Sequence, residues 1–244
     1  MNKKKTGGVR DTVTTVIYAG LIALAVRTFA YEPFNIPSSS MLPTLLVGDY
    51  LFVSKLSYGY SRHSFPLSMS LFSGRLFFTE PERGDVMVFK LPKDNKTDYI
   101  KRIVGLPGDR IQVRGGILHI NGQALKRRWI GRYRSENGTG GYLMKYLETL
   151  PNGRVHPILE RTDHGEFDNT LVYRVPPDHY FAMGDNRDNS LDSRALSDVG
   201  FIPKENLVGR AEVLFFSSNG SAYFWEFWKW PAAIRFSRLF QKIM

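Results

Sequence analysis

Three consecutive serines, Ser38, Ser39 and Ser40, stand in the segment FNIPSSSMLPT at residues 34–44. A serine hydroxyl is a weak nucleophile at neutral pH and attacks a carbonyl only beside an activating base. The five histidines, His63, His119, His156, His164 and His179, form no triad or metal-binding spacing, and each is expected as a surface or loop residue. The absence of cysteine removes disulfides, zinc thiolates and cysteine nucleophiles together. Attention is directed to lysine, which works as a base only when neutral and so needs desolvation or neighbouring cations. Lys101 is the candidate, because it lies inside the strongly β-forming run DYIKRIV at 98–104, where alternation puts Tyr99, Lys101 and Ile103 on one face. The pattern alone leaves open a lysine that points to solvent from a half-exposed strand.

A third stretch, GDNRDNSLDSR at 184–194, holds more Asp, Asn, Ser and Arg than a turn requires. Such residues can build a hydrogen-bond network that holds a catalytic group in place. A calcium loop is the competing reading, but Asp185, Asn186, Asp188 and Asn189 lack the spacing, the central glycine and the terminal glutamate of an EF-hand. No metal and no cofactor are expected.

The elements that must position these residues begin with an apolar run at 13–30, preceded by Lys3, Lys4, Lys5 and Arg10. It is near the short limit for a bilayer span, and the basic cluster marks the cytoplasmic side. A cleavable secretory signal shares these features, but no A-x-A-like site precedes a plausible mature start, so a retained anchor is expected. Arg27, near its far end, can snorkel to the headgroups. The net charge of +10 gathers in patches at 2–10, 126–134 and 229–242 without a nucleic-acid reading motif, which favours anionic lipid over nucleic acid as the partner.

From Leu45 onward, short runs rich in Val, Ile, Tyr and Phe are broken by Gly-Asp, Pro-Gly and Asn-Gly turns, which predicts a mainly β, antiparallel structure. Gly115-Gly116 between two such runs predicts a hairpin. The expected organisation is a basic N-terminus (1–11), an anchor (12–31), a β domain (32–125 and 171–218), a small inserted subdomain (126–170) and an aromatic and basic tail (219–244). Phe65, Leu67, Met69 and Leu71 alternate with polar residues, which fits an apolar hairpin in lipid or an ordinary core hairpin. The tail suits a membrane interface; the alternative is a C-terminal helix docked on the core.

In order, IPSSSM with PTL and GD behind it, RGDVMVF at 83–89, DYIKRIVGLPGD at 98–109 and GDNRDNSLDSR at 184–194 resemble the four signature boxes of bacterial type I signal peptidases. The resemblance implies an antiparallel β catalytic domain of signal peptidase type on one N-terminal transmembrane helix, and a Ser-Lys endopeptidase that works through an acyl-enzyme. Ser40 corresponds to the nucleophile and Lys101 to the general base. Ser38 matches a residue whose hydroxyl forms the oxyanion hole with the Ser40 N–H. Ser190 matches a serine that hydrogen-bonds the lysine, and Asp192 and Arg194 match a supporting ion pair. Phe34, Ile36, Pro37, Met41, Leu45, Val88, Tyr99 and Ile100 correspond to the lining of shallow apolar pockets, while Asp98 and Ser38 lie on strands that would pair with substrate. Ser39 stands where the family commonly has glycine, and one span stands where the best-known members have two.

The implied partners are signal-peptide-bearing pre-proteins and the lipid bilayer, with no nucleic acid. The implied location is the bacterial inner membrane, single-pass, with the catalytic domain on the periplasmic or extracytoplasmic face. Related alternatives are a self-cleaving repressor of the SOS type, a peptidase dedicated to conjugation or pilus proteins, and an inactive membrane-tethered binding protein.

Overall fold

The computed structural model describes residues 8–64, 74–134 and 141–243. The apolar run folds as helix α1, Val9–Phe29. Its 21 residues are long and apolar enough to cross a membrane, with Arg10, Asp11 and Arg27 near the ends, and are almost unburied by the rest of the chain. At 1.5 Å per residue it is roughly 31 Å long, the thickness of a hydrocarbon core.

Strands succeed it in the order β1 (Tyr31–Asn35), β2 (Asp49–Ser54), β3 (Val86–Lys90), β4 (Asp98–Gly105), β5 (Arg110–Arg114), β6 (Ile117–Ile120), β7 (Gln123–Ala124), β8 (Lys126–Arg134), β9 (Tyr142–Thr149), β10 (Val155–Glu160), β11 (Tyr173–Arg174), β12 (His179–Met183), β13 (Ile202–Pro203) and β14 (Leu207–Ser217). Seven of them form an antiparallel sheet in the order β1-β2-β14-β3-β4-β12-β13. The central strand β3 reads Val-Met-Val-Phe without alternation because both its faces are covered, and all four of these residues are buried. One side of the sheet encloses a core of Met41, Leu45, Leu51, Val53, Val86 and Val88; the other packs Tyr58, Met87, Phe89, Ile103 and Tyr180.

The predicted hairpin is β5–β6, within a sheet ordered β11-β5-β6-β7. Gly115 and Gly116 turn it with φ of 54° and 71°. Positive φ at both central positions is the turn that matches strand twist, and glycine adopts it without Cβ strain. Within 126–170, β8, β9 and β10 form a separate sheet in the order β10-β9-β8.

The alternating apolar residues 65–71 lie outside the described residues. The chain just beyond them is tied down: Leu76 bridges Tyr60, and Arg75 donates to the carbonyls of Tyr58, Gly59, Lys204 and Leu207 at 2.7–3.1 Å.

The tail is not a docked helix. Its longest helical piece is the four residues Trp230–Ala233. Two basic residues expected at the lipid interface are spent inward instead. Arg238 pairs with the fully buried Asp49 and donates to Thr44 O at 3.0 Å, and Arg235 donates to Val47 O at 3.0 Å. A buried carboxylate needs a cation, and the tail returns to supply it. Tyr223, Phe224, Trp225, Phe227, Trp228, Phe236 and Phe240 remain exposed.

Candidate active site

Ser40 sits in the loop that joins β1 to β2, and Lys101 sits on β4. The loop is held at both ends by backbone bonds between Ile36 and Asp49 and between Gly48 and Ile36, at 2.8 and 2.9 Å. Met41 and Leu45, expected from the resemblance to line substrate pockets, instead point into the core with no exposed surface. Each apolar side chain so buried contributes roughly 1.5–3 kcal/mol, and together they pin the residues that flank Ser40.

Lys101 Nζ lies 2.7 Å from Ser40 Oγ and 3.1 Å from Ile100 O, and both side chains are buried. Burial lowers the lysine to about 8; Asp192 and Asp185 pull it back up, and Arg194 pushes it down. A lysine that titrates there is partly neutral near pH 7.5 and can take a proton from the hydroxyl it touches. No histidine makes a hydrogen bond to Ser40 among the described residues. His63 and His156, expected at the surface or in loops, are instead buried, and the His156 ring packs against Glu148 and Asp185 at 3.4 and 3.9 Å.

The two neighbouring serines make other contacts. Ser39 Oγ accepts a bond from Asn189 Nδ2 at 2.7 Å, so it is engaged away from Lys101. Ser38 Oγ, on an exposed residue, lies 3.4 Å from Ser40 Oγ. β1 ends at Asn35, so Ser38 comes after a strand and is not part of one.

The 184–194 segment grips this loop from behind. Asn186 donates its backbone N–H to Ser40 O and its side chain to Ser39 O, both at 3.0 Å. Asn186 and Asn189 therefore hold the serine loop directly, roles that the residue density hinted at and spacing did not assign. Arg194 binds Asp192 through two bonds of 2.9 Å, and Gly184 N–H adds a third to the carboxylate at 3.0 Å. Burial alone would raise the Asp192 carboxyl, but Arg194 holds it below the ordinary range. Ser190 Oγ is buried in the same place but is not bonded to Lys101, so that expected hydrogen bond is not formed here.

Two more ion pairs anchor the segment. Arg102 forks onto Asp185 at 2.8 Å through both Nε and Nη2, with Thr44 Oγ1 on the same carboxylate at 2.5 Å. Arg187 forks onto Glu148 of β9, and although burial opposes the charge, Arg187 keeps Glu148 far below the usual carboxylate range. Gly184 permits the close approach of loop and segment, since a Cβ there would lie 2.3 Å from Ser190 Oγ and 2.5 Å from Ser40 O. Gly184→Ala is therefore expected to displace the Ser40 backbone and to lower kcat by roughly 100-fold or more; a pre-protein cleavage assay on the folded variant checks it.

A cavity of about 520 Å3 opens beside the Ser40–Lys101 pair, lined by Phe34, Asn35, Ile36, Pro37, Ser38, Ser39, Val88, Asp98, Tyr99, Ile100, Asn189 and Leu191. A larger cavity of about 890 Å3, between Val26, Phe52, Arg210 and Lys242, contains neither Ser40 nor Lys101. Asp98 is held by Lys90 across the β3–β4 pair at 2.8 Å. β12 joins β4 only from Arg102 onward, so, among the described residues, 98–101 pair with β3 on one side and keep a free edge on the other. An extended peptide can add to such an edge, with main-chain bonds for affinity and shallow pockets for specificity.

The profile of the family described as signal peptidase, peptidase S26, matches residues 9–216. Signal peptidase I of Rickettsia typhi is 38% identical over 261 residues, covering 99% of this chain and 97% of the relative. That of Rickettsia akari is 44% identical over 206 residues, covering 81% and 76%. A solved signal peptidase I structure from Enterococcus faecalis is 26% identical and covers 54% of this chain and 97% of that one, with a TM-score of 0.32. With a family match over most of its length and relatives this similar end to end, the chain belongs to the signal peptidase family, peptidase S26, and is a serine endopeptidase.

Proposed function

We propose that this signal peptidase cuts exported pre-proteins by attack of Ser40 Oγ on the scissile carbonyl, with Lys101 as the general base. The observation that carries the reading is the 2.7 Å contact between a buried lysine and a buried serine at the wall of an open cavity. Lys101 takes the hydroxyl proton, and the same ammonium then protonates the leaving amine. An acyl-enzyme on Ser40 is left for water to hydrolyse. The Ser38 hydroxyl and the Ser40 backbone N–H form the oxyanion hole, with Ser190, Asp192 and Arg194 as support. The substrate lies along residues 98–101, its small side chains facing Phe34, Ile36, Pro37, Val88, Tyr99 and Ile100.

The same proposal covers place and organisation. Residues 1–11 are cytoplasmic, 12–31 span the inner membrane, and the β domain (32–125 and 171–218), the insertion (126–170) and the tail (219–244) lie on the extracytoplasmic side. About ten residues separate Ala30 from Ser40, a reach of at most roughly 33 Å, so the nucleophile stays near the outer leaflet. A signal peptide leaves its cleavage site at that surface, just beyond its apolar segment. The exposed tail aromatics then sit at headgroup depth.

The pH profile tests the base. Only neutral Lys101 accepts a proton, and it is protonated below about 8. The expected kcat/KM therefore rises about tenfold per pH unit up to that point and levels above it. A rate that stays constant from about pH 6 to 10 would remove Lys101 from the role.

A further inference from the structure

At the 184–194 segment, three carboxylates from distant parts of the chain converge. One oxygen each from Glu160 at the end of β10, Asp168 in the loop after it and Asp188 lies within 4.8 Å of the others. Glu160 and Asp168 are almost fully buried, with 1% exposure each. Neither oxygen of Glu160 has a hydrogen-bond partner among the described residues. Arg127 Nη1 forms a long ion pair with it at 3.7 Å, beyond hydrogen-bond distance, while Nη2 of the same guanidinium bonds Asp163 at 3.0 Å. Arg187 and Arg194, two further cations near the cluster, are bonded to Glu148 and Asp192.

A buried carboxylate with no hydrogen bond is costly unless a cation or a proton answers it. The arrangement favours a cation. Asp188 Oδ2 is fixed by the N–H groups of Arg161 and Thr162 at 2.6 and 3.1 Å, and Asp168 Oδ2 by Gly165 N–H at 2.6 Å, so the carboxylates are oriented by backbone. Gly165 leaves room between them: a Cβ there would lie 2.8 Å from Asp188 Oδ1 and 3.1 Å from Asp168 Oδ2. Oxygens bound to one calcium at 2.3–2.6 Å are separated by no more than roughly 5 Å, and a purely oxygen donor set suits a hard cation.

We infer that Glu160, Asp168 and Asp188 form a binding site for a hard divalent cation, with calcium as the fitting ion. The ion would tie β10 and the 163–169 loop to the segment that carries Asn186, Asn189 and Ser190. EF-hand spacing within 184–194 could not reveal it, since two of the three ligands come from elsewhere. The inference does not depend on which serine attacks.

The test is calorimetric titration of calcium into the chelator-treated full chain in detergent, followed by thermal melting with and without the ion. One calcium per chain is expected, with a Kd on the order of 10⁻⁴–10⁻³ M, and a rise in Tm of roughly 5 °C at a hundredfold excess over Kd. Glu160→Gln should fold and lose binding at least about tenfold. Asp188→Asn, which keeps an acceptor for the two N–H groups, should fold and also lose binding. No heat and no Tm change in the parent with calcium or magnesium overturns the site. So does an undiminished calcium response in both variants.

Discussion

The Lys101→Met variant is expected to fold, to melt no lower than the parent and to cleave pre-protein at least about 10⁴-fold more slowly. The loss stems from the site, where no histidine reaches Ser40 and Lys101 Nζ is the basic group bonded to its hydroxyl. Stability runs the other way. A lysine that titrates at about 8 when folded and near 10.5 when unfolded makes folding at neutral pH less favourable by about 3 kcal/mol. Folded pKa below unfolded pKa means that this penalty is full below about pH 8 and fades as pH rises toward 10.5. Methionine fills a similar volume without the charge, so the penalty disappears with the activity. Thermal melts alongside single-turnover cleavage check both halves, and a variant that is inactive because it is unfolded would not count for the assignment.

The second large effect is on stability. Asp185→Ala should lower it by about 3–5 kcal/mol, because removing one partner of a buried pair leaves the other charged and unmet. Arg102 and Asp185 are both almost fully enclosed, and Asp185 also takes the Thr44 hydroxyl. Their pair joins the strand of the lysine to the segment that holds the Ser40 carbonyl, so activity should fall with the structure. Denaturant unfolding measures the loss. A change below about 1 kcal/mol would mean that the pair is as weak as one at the surface.

The helix and the β architecture were legible because period and turn chemistry are local: a continuous apolar run, and Val, Ile and Tyr runs closed by glycine turns. Gly115-Gly116 needed no tertiary context. The serine and the lysine were legible as types, but a strand lysine reads the same whether it faces solvent or a serine 61 positions away. The signature boxes, not the alternation, made that choice. Met41 and Leu45 were not placed by sequence, because an apolar residue beside Ser40 can face pocket or core, and both lie in the core with no exposed surface. Arg235 and Arg238 read as lipid-facing in a tail of tryptophans, yet buried Asp49 and the carbonyls of the 36–48 loop claim them. Asn189 and the Glu160–Asp168–Asp188 cluster depend on contacts between segments that no spacing rule connects.

The most direct measurement compares cleavage of a purified pre-protein by the detergent-solubilised parent, Ser40→Ala and Ser39→Ala. The geometry predicts no cutting by Ser40→Ala and retained cutting by Ser39→Ala, whose hydroxyl is bonded to Asn189 and not to the lysine. Cutting by Ser40→Ala, or its loss in Ser39→Ala alone, would contradict the Ser40–Lys101 assignment.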